Sequence, residues 1–530
     1  MKKIFAIFSA LVLLVFAGCQ KDFLETNPTD RVSGPTIFAD SENAMTAVNG
    51  LIRLLYVGGW GSSWGAENGG LPAYILVQDL KGEDHVMDGQ GSGWFYYDYA
   101  FNTFGDWTGN AGHQYQMWNF FYTLISNANY ILANQETMEG DADYKNYALG
   151  QAYAIRSFCY MWLIQTYQQN GALYGTSLPG VPLYTEPTVA GSEGKGRGTV
   201  ADVYAQANAD IDAAIQCLSQ SSLGQLHKSH ISLAAAYGIK ARHALVQHDY
   251  ATALSAAESA MKGQKLGSWG DIQVVNSVDK PNVLWGLAIQ TDQAMGNYDI
   301  YNHMDADCLS TYAKARHLIG NWLYDEIPDT DVRKAWWTAP IPEAQWGIPG
   351  SANGSYRSWC QKKLVYLNAT AQTGDHILLR TEELYLIAAE AACEAGDYAK
   401  ARQYVSAVGS LRDTNYAARL KKMTDDKTLN QNTTGPIVTL MDEIFFQRRV
   451  ELWSENPRLF DLQRRGLAYN RNWAGTNHTS TATAFTQKPG SANFILWIRS
   501  PSSTATRTWM PNGIRTRSRA EVFNLKTEVI

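Results

Sequence analysis

An alanine-rich helical segment occurs twice in this chain of 530 residues, and the repeat constrains the fold more than any other feature. The stretch Gln247-His-Asp-Tyr-Ala-Thr-Ala-Leu254 is similar to Ala395-Gly-Asp-Tyr-Ala-Lys-Ala-Arg402. Each copy follows an alanine-rich stretch with the apolar periodicity of an amphipathic helix. In both copies a short turn is therefore expected to join two helices, and the small side chains let those helices pack closely.

Paired helices of this kind resemble tetratricopeptide units, in which each pair stacks on the next. Two clear units, with up to two degenerate ones, predict a mostly α-helical, tetratricopeptide-like scaffold with loop-rich insertions and a few short strands. Ser41 is expected to cap the first helix. The predicted helices are Ser41–Tyr56, Tyr115–Gln135, Tyr144–Gln168, Val200–Leu218, Ile231–Gln247, Tyr250–Met261, Ile377–Ala395, Tyr398–Val408 and Thr439–Trp453.

Two insertions, at about 58–112 and about 265–375, interrupt the helical pattern. Between Pro281 and Gly374 the periodicity weakens and Trp, Pro and Gly accumulate, with one short strand predicted at Val283–Ile289. Loops of this length in a compact protein are usually functional or disordered, and their tryptophans argue against disorder. We expect a single domain over residues 19–530, with the insertions as the place where a ligand binds.

The N-terminus has the pattern of an export signal. Lys2 and Lys3 precede an apolar run of 13 residues, Ile4–Phe16, which is too short to span a bilayer. Small residues then precede Cys19, where a lipoprotein signal peptidase would cleave after residue 18 and leave a lipidated cysteine. The alternative is an ordinary secretory signal with a chance cysteine. Burying acyl chains, at about 0.8 kcal/mol per methylene, would anchor the protein on a membrane rather than through it.

Charge and cysteine content exclude several classes of protein. The formal net charge is −6 and the basic residues are scattered before the C-terminus, so no nucleic-acid partner is expected. Five cysteines remain after Cys19, an odd number without a C-x-x-C pair, which favours buried thiols over disulfides or a zinc site. No cofactor and no metal site are expected.

Motifs for phosphate and dinucleotide binding are incomplete. Gly89-Gln-Gly-Ser-Gly-Trp94 lacks a preceding strand, and Gly191-Ser-Glu-Gly-Lys-Gly196 has no Ser or Thr after its lysine. A set of carboxylates clusters around His85, namely Asp79, Glu83, Asp84 and Asp88. Retaining glycosidases need two carboxyl groups about 5 Å apart. The sequence does not establish such a pair, and a solvated acidic loop is the favoured interpretation.

Several segments together resemble one protein family. They are Arg156-Ser-Phe-Cys-Tyr160, Gly180-Val-Pro-Leu183, Arg197-Gly-Thr-Val-Ala-Asp-Val-Tyr204, Arg380-Thr-Glu-Glu-Leu-Tyr-Leu-Ile-Ala-Ala-Glu-Ala391, Arg448-Arg-Val-Glu-Leu452 and Glu455-Asn-Pro-Arg-Leu-Phe-Asp-Leu-Gln-Arg-Arg-Gly466. The chain is similar here to the SusD/RagB family of outer-membrane nutrient-binding lipoproteins, and the resemblance covers nearly the whole mature chain. Asn456-Pro457 departs from the family, in which glycine is common at this place.

The resemblance implies a mostly α-helical fold with four tetratricopeptide-like units. It also implies a cell-surface lipoprotein, anchored in the outer membrane through Cys19, with a SusC-like TonB-dependent transporter as partner. Arg449, Glu451, Arg458 and Asp461 carry the family signature, and their spacing lets guanidinium and carboxylate groups meet. We expect them to form an ion network that holds the fold rather than to bind ligand.

Aromatic residues are abundant, with 17 Trp and 29 Tyr, and two sets lie in the insertions. Aromatic faces stack on the C–H faces of sugar rings, whereas core packing is the alternative role for any single ring. The second set includes Tyr298 and His303. The expected glycan-binding residues are Trp60, Trp64, Trp94, Tyr96, Tyr97, Asn102, Trp107, Tyr301 and Trp336.

The function expected from this resemblance is capture of an oligosaccharide at the cell surface and its delivery to the transporter, without enzymatic activity. Two alternatives stay open. One is a peptide- or protein-binding surface lipoprotein similar to the RagB branch, and the other is a glycoside hydrolase. The aromatic loops favour sugar over peptide.

The C-terminal segment from Arg499 to Ile530 departs from the family, whose members commonly end in a strand-like I-P-x-x-E segment. Ser, Thr and Arg dominate after Ile498. Codons can be chosen for a family-like ending that, after loss of one nucleotide, read as the observed residues 498–509. We therefore predict that 499–530 is out of frame and carries no function. Sequencing the underlying DNA tests this, and the hypothesis is wrong if neither alternative frame encodes a family-like ending.

Replacement of Cys19 by Ala is expected to move the protein from the membrane fraction to the soluble periplasmic fraction, because the acyl anchor is then absent. The measurement is sedimentation with membranes in a strain that lacks the transporter. Unchanged sedimentation of the variant would contradict the lipoprotein assignment.

Overall fold

The structure is a computed structural model, which describes residues 40–61, 65–100, 112–189, 191–308, 315–345, 356–431, 433–483, 486–491 and 494–496. The predicted signal peptide and the lipidation site Cys19 lie outside the described residues. So do the predicted out-of-frame segment 499–530 and three candidate site residues, Trp64, Asn102 and Trp107.

Helices are the main secondary structure of the described residues. They are α1 Ser41–Leu54, α2 Leu71–Asp79, α3 Tyr96–Tyr99, α4 His113–Leu132, α5 Ala142–Tyr167, α6 Gly171–Tyr174, α7 Val200–Gln220, α8 Leu233–Val246, α9 Tyr250–Met261, α10 Trp269–Ile272, α11 Tyr301–Met304, α12 Asn321–Glu326, α13 Thr381–Glu394, α14 Tyr398–Arg412, α15 Tyr416–Leu420, α16 Leu440–Glu451, α17 Arg458–Arg465 and α18 Ser480–Thr483. Over these described ranges, none combines the length and the apolar character needed to cross a membrane.

The strands are short and pair two by two. They are β1 His85–Met87, β2 Val283–Leu287, β3 His317–Ile319, β4 His376–Arg380, β5 Tyr469–Asn470 and β6 Thr486–Gln487. The pairs β1–β3, β2–β4 and β5–β6 are antiparallel, with His85 opposite Ile319 and Val283 opposite Arg380. Short 3-10 helices lie at Ala66–Asn68, Thr291–Gln293, Gly296–Tyr298, Val332–Trp336 and Glu343–Gln345.

The two sequence repeats fold as two matching helix pairs, α8–α9 and α13–α14. In each pair an aspartate caps the second helix: Asp249 accepts from the Thr252 N–H and Asp397 accepts from the Lys400 N–H, both at 3.1 Å. The residue before each aspartate has a positive φ, 59° at His248 and 80° at Gly396. The turn geometry is therefore the same in both repeats.

The two repeat units lie side by side, because α9 packs against α13. Their interface is rich in alanine, which permits close approach of the helices. The buried residues include Ala241, Ala253, Ala257, Ala388 and Ala391. The predicted mostly α-helical scaffold of stacked helix pairs is confirmed.

A second layer of helices is fixed by a buried arginine. α5 packs against both α4 and α7. Arg156 of α5 donates to both carboxylate oxygens of Asp210 in α7, at 2.6 and 2.8 Å, and to Asn129 Oδ1 in α4 at 2.7 Å. Gly150 lets α7 approach, since a Cβ there would lie 2.7 Å from Leu218 Cγ.

Several predicted boundaries differ from the structure. Ser41 does not cap the first helix; Asp40 does, accepting from the Glu42 N–H at 2.9 Å. The predicted helix Ile377–Ala395 is wrong at its start, because β4 pairs with β2 and the helix begins only at Thr381. The helices α2 and α17 were not predicted.

Glu451 is the centre of a buried ion network. Its carboxylate accepts from Arg333 Nη1 at 3.0 Å, Arg380 Nη1 at 3.0 Å and Arg412 Nε at 3.1 Å. Glu451, Arg333 and Arg412 are fully buried. The arginines come from a 3-10 helix, from β4 and from α14, and Glu451 ends α16, so one carboxylate joins four elements. Buried charges persist only when they are paired in this way.

The acidic segment around His85 is also buried, and the prediction of a solvated acidic loop is wrong. Asp84 accepts from Arg449 Nε at 2.9 Å, and Glu83 accepts from Arg458 Nη2 at 2.8 Å. The arginines lie far along the chain, so local sequence gave no sign of the pairing. The predicted structural role of Arg449 and Arg458 is confirmed.

A third cluster joins α13, α16 and α17. Asp461 accepts from Arg448 Nε and Arg464 Nε, both at 2.8 Å, and the two guanidinium groups hold the pKa of Asp461 well below the usual range for a carboxyl group. Glu390 accepts from Arg464 Nη2 at 2.8 Å. These contacts confirm that the residues of the family signature hold the helices together.

The five described cysteines are thiols and not disulfides, in agreement with the sequence-based prediction. Cys159, Cys360 and Cys393 are buried, whereas Cys217 and Cys308 are partly exposed. Burial raises the pKa of the Cys360 thiol to about 12, so this group stays protonated at neutral pH. The three buried cysteines therefore act as small apolar side chains.

We predict that Glu451→Gln lowers the free energy of unfolding by about 3–5 kcal/mol, because three buried arginines lose their compensating charge. Urea unfolding followed by circular dichroism measures this. The matched control is Asp212→Asn, which removes the exposed Lys240–Asp212 ion pair and should cost less than about 1 kcal/mol. Equal losses in the two variants would contradict the central role of Glu451.

Candidate functional site

Two candidate site residues lie in the core. Trp336 is 0% exposed and its Nε1 donates to the Ile272 carbonyl at 2.8 Å. Tyr301 is 1% exposed and its hydroxyl donates to the Asp375 carbonyl at 2.6 Å. Both rings are covered and their polar atoms are bonded to the backbone. The structure therefore argues against direct ligand contact by Trp336 and Tyr301.

Trp60 and Tyr96 are also mainly packing residues, each 8% exposed. Trp60 meets Phe120 edge to face, with ring centroids 5.1 Å apart, and its Nε1 donates to the Val57 carbonyl at 2.5 Å. Tyr96 packs on Tyr99, with centroids 6.0 Å apart. Little of either ring is open to a ligand.

Trp94 and Tyr298 form an aromatic platform between the two insertions. Their rings are nearly parallel, with an interplanar angle of 19° and centroids 5.9 Å apart, the offset arrangement that aromatic pairs favour. Both side chains are partly exposed. The platform joins a member of the first aromatic set to a member of the second, which their separation in sequence did not indicate.

Tyr97 follows Trp94 closely in the sequence. It is 47% exposed, the largest exposed fraction among the described candidate residues. Its hydroxyl accepts from Gln90 Nε2 at 3.2 Å. The exposed Gln90 therefore adds an amide to this surface, and sequence reasoning did not identify it as a site residue. The sequence feature that could have identified Gln90 is its position directly before the Gly-Ser-Gly turn.

A glycine-rich turn positions Trp94. The Gly93 N–H donates to the Gln90 carbonyl at 2.8 Å, and Gly91 and Gly93 have φ values of 54° and 94°. Gly91 also allows close approach of the second insertion, since a Cβ there would lie 2.7 Å from the Ala315 backbone nitrogen. Larger residues would be strained at both glycine positions.

Phe95 holds the turn that carries Trp94 in place through contacts in the core. It is fully buried and has a left-handed backbone with φ of 64°, which is unusual for a bulky residue. Its N–H donates to Glu67 Oε1 at 2.6 Å. Its ring meets His303 edge to face, with centroids 5.2 Å apart. Phe95 thus ties the Trp94 turn to the 3-10 helix Ala66–Asn68.

His303 supports the platform as a neutral side chain. Its ring lies 5.2 Å from that of Trp94, and Nε2 is 3.0 Å from the Asn297 carbonyl. Because a carbonyl only accepts, Nε2 carries the proton. Burial lowers the pKa of His303 to about 4, so the imidazole is uncharged at neutral pH. The platform therefore rests on aromatic and amide groups.

The His85 cluster has the residue types of a proton relay but lies in the core. His85 Nδ1 is 2.9 Å from Asp79 Oδ2, and His85 Nε2 is 2.8 Å from His317 Nδ1. All three side chains are buried. Burial raises the pKa of Asp79 to about 7 and lowers the pKa of His85 to about 3. The cluster links α2 to the β1–β3 pair rather than facing a ligand.

Two family models match the chain. Residues 82–245 match the model described as "Starch-binding associating with outer membrane", and residues 347–510 match the model described as "SusD family". No curated protein matches the chain at the level of sequence. The first match includes the turn that carries Trp94.

Solved structures share the fold. A "SusD-like carbohydrate binding protein" from Bacteroides vulgatus has a TM-score of 0.71 and 23% identity, over 86% of this chain and 94% of its own. A SusD superfamily protein from Bacteroides thetaiotaomicron has a TM-score of 0.70 and 22% identity, over 87% and 96%. One from Bacteroides fragilis has a TM-score of 0.65 and 18% identity, over 87% and 97%. At these identities the likeness establishes the architecture alone.

Proposed function

The chain belongs to the SusD family, and from this premise we propose that it is a cell-surface glycan-binding lipoprotein that captures oligosaccharide through Trp94 and Tyr298. The observation that carries the proposal is the pair of nearly parallel, partly exposed rings of these two residues. Tryptophan and tyrosine rings offer flat apolar faces with polar edges, which suit the faces and hydroxyl groups of sugars.

Polar groups beside the rings support sugar as the ligand. Tyr97 and Gln90 offer a hydroxyl and an amide at the rim of the platform, and both are exposed. Such groups can exchange hydrogen bonds with sugar hydroxyls. Trp64, Asn102 and Trp107 belong to the same insertion and remain candidate ligand contacts.

The remaining parts of the proposal concern the membrane and the partner. We propose that Cys19 carries the lipid anchor and that the bound glycan passes to a SusC-like TonB-dependent transporter. The description of the family model that matches residues 82–245 includes association with the outer membrane, which supports this location. The SusD/RagB resemblance supports the transporter as partner.

The hydrolase alternative has little support among the described residues. The carboxylates Glu83 and Asp84 are buried and paired with arginines. The sequence Gly61-Ser-Ser-Trp-Gly65 has the G-x-S-x-G spacing, but a 3-10 helix follows it and residues 57–60 before it are not a strand. An esterase-type nucleophile elbow needs a strand before the serine and an α-helix after it.

We predict that the soluble chain beginning after Cys19 binds an oligosaccharide and that Trp94→Ala with Tyr298→Ala abolishes the binding. Each lost ring should cost about 1 kcal/mol or more, by analogy with other aromatic contacts. A glycan array selects the ligand, with maltoheptaose as the first probe because the matched family model is described as starch-binding. Isothermal titration calorimetry then measures the affinities.

Tyr130→Ala is the matched control, because Tyr130 is a comparably accessible tyrosine on α4 at 39% exposure. It should bind like the wild type. Unchanged binding by the Trp94 and Tyr298 double variant would overturn this site. Binding of peptides but no glycans would favour the RagB-like alternative, and cleavage of the oligosaccharide by pure protein would favour the hydrolase.

A further inference from the structure

Three side chains that can bind a metal ion lie close together near the turn that carries Trp94. Glu67, Asp98 and His113 each offer one ligand atom, and these atoms lie within 4.8 Å of one another. They come from three separate elements: the 3-10 helix Ala66–Asn68, α3 and the first turn of α4. One bound ion would therefore link three separate secondary-structure elements.

Asp98 has a buried oxygen that the fold leaves unused. Its Oδ1 is 2.9 Å from His113 Nδ1, but Oδ2 is buried and has no hydrogen-bond partner. The whole side chain is buried. An unpaired carboxylate oxygen in the protein interior is costly, since neither water nor a donor compensates its lost hydration. A cation at this point would satisfy it.

We propose that Glu67, Asp98 and His113 bind a divalent transition-metal ion of the zinc class. The donor set contains two carboxylates and one imidazole. Imidazole nitrogen suits zinc and its neighbours in the transition series, whereas calcium and magnesium take oxygen ligands. Zinc binds nitrogen and oxygen ligands at about 2.0–2.2 Å. Three protein ligands leave the fourth tetrahedral position for water.

The charged side chains at the cluster are the carboxylates of Glu67 and Asp98 and the buried Lys81, whose charge acts on both Asp98 and His113. Metal ions bind deprotonated carboxylate and neutral imidazole ligands, so zinc binding is expected to weaken as the pH falls.

The ion would reinforce the support of Trp94. Glu67 Oε1 accepts the N–H of Phe95, and Phe95 follows Trp94 directly. An ion that holds Glu67 beside Asp98 and His113 would therefore also hold the left-handed backbone of Phe95 in place. This structural effect does not require that the platform binds sugar, so metal binding can be tested separately from glycan binding.

The experiment uses the soluble chain that begins after Cys19, stripped with EDTA, dialysed and titrated with zinc chloride by calorimetry. One zinc per chain is expected. Loss of even an outer-shell partner typically costs about 10–100-fold in metal affinity, so Glu67→Gln and His113→Gln should each weaken zinc binding by at least about 100-fold. His227→Gln, at an exposed histidine, is the control for surface binding and should leave the affinity unchanged.

Crystals soaked in zinc provide a second measurement that does not depend on variants. Anomalous scattering at the zinc edge should place the ion between Glu67, Asp98 and His113. Thermal unfolding in EDTA checks that the variants fold. The proposal is overturned if the wild type binds no zinc, if zinc occupies only other histidines, or if folded Glu67 and His113 variants bind it as tightly as the wild type.

Discussion

The buried carboxylate of Glu451 is the interaction on which the rest of the fold depends. Arg333, Arg380 and Arg412 reach it from three other elements. Because a buried charge is stable only when it is paired and hydrogen-bonded, these elements can dock only in one arrangement. The alanine-rich interface of the two repeats supplies one part of the apolar contact, and the ion network selects how the elements are arranged.

The same kind of contact extends from the scaffold to the aromatic platform. Asp84 is held by Arg449 of α16, and β1 begins at the next residue. β1 pairs with β3 of the second insertion, and the glycine-rich turn with Trp94 follows β1. The paired strands thus bring the two insertions together where Trp94 meets Tyr298. A few buried contacts thus fix the position of the proposed ligand surface, although that surface lies on long loops.

Local patterns predicted the features that depend on neighbours in sequence. The helix α9 was predicted with its observed bounds, because an aspartate cap and alanine spacing are local signals. The predicted start of α13 was wrong because the pairing between β2 and β4 joins residues that are far apart in the sequence. Composition likewise could not separate Trp336 from Trp94: both are tryptophans in loop-rich insertions, but one packs in the core and the other lies partly open. Burial depends on partners that single-sequence reasoning cannot place.

The position of the platform residues in the chain has a consequence for how the proposed binding site forms. Trp94 and Tyr298 lie in different insertions, and the chain between them forms five of the longer helices, α4, α5, α7, α8 and α9. Contacts of such long sequence separation are entropically expensive and form late in folding. An isolated loop peptide or a truncated chain therefore carries no preformed binding face. The proposed glycan site therefore exists only after the two insertions have met in the folded chain.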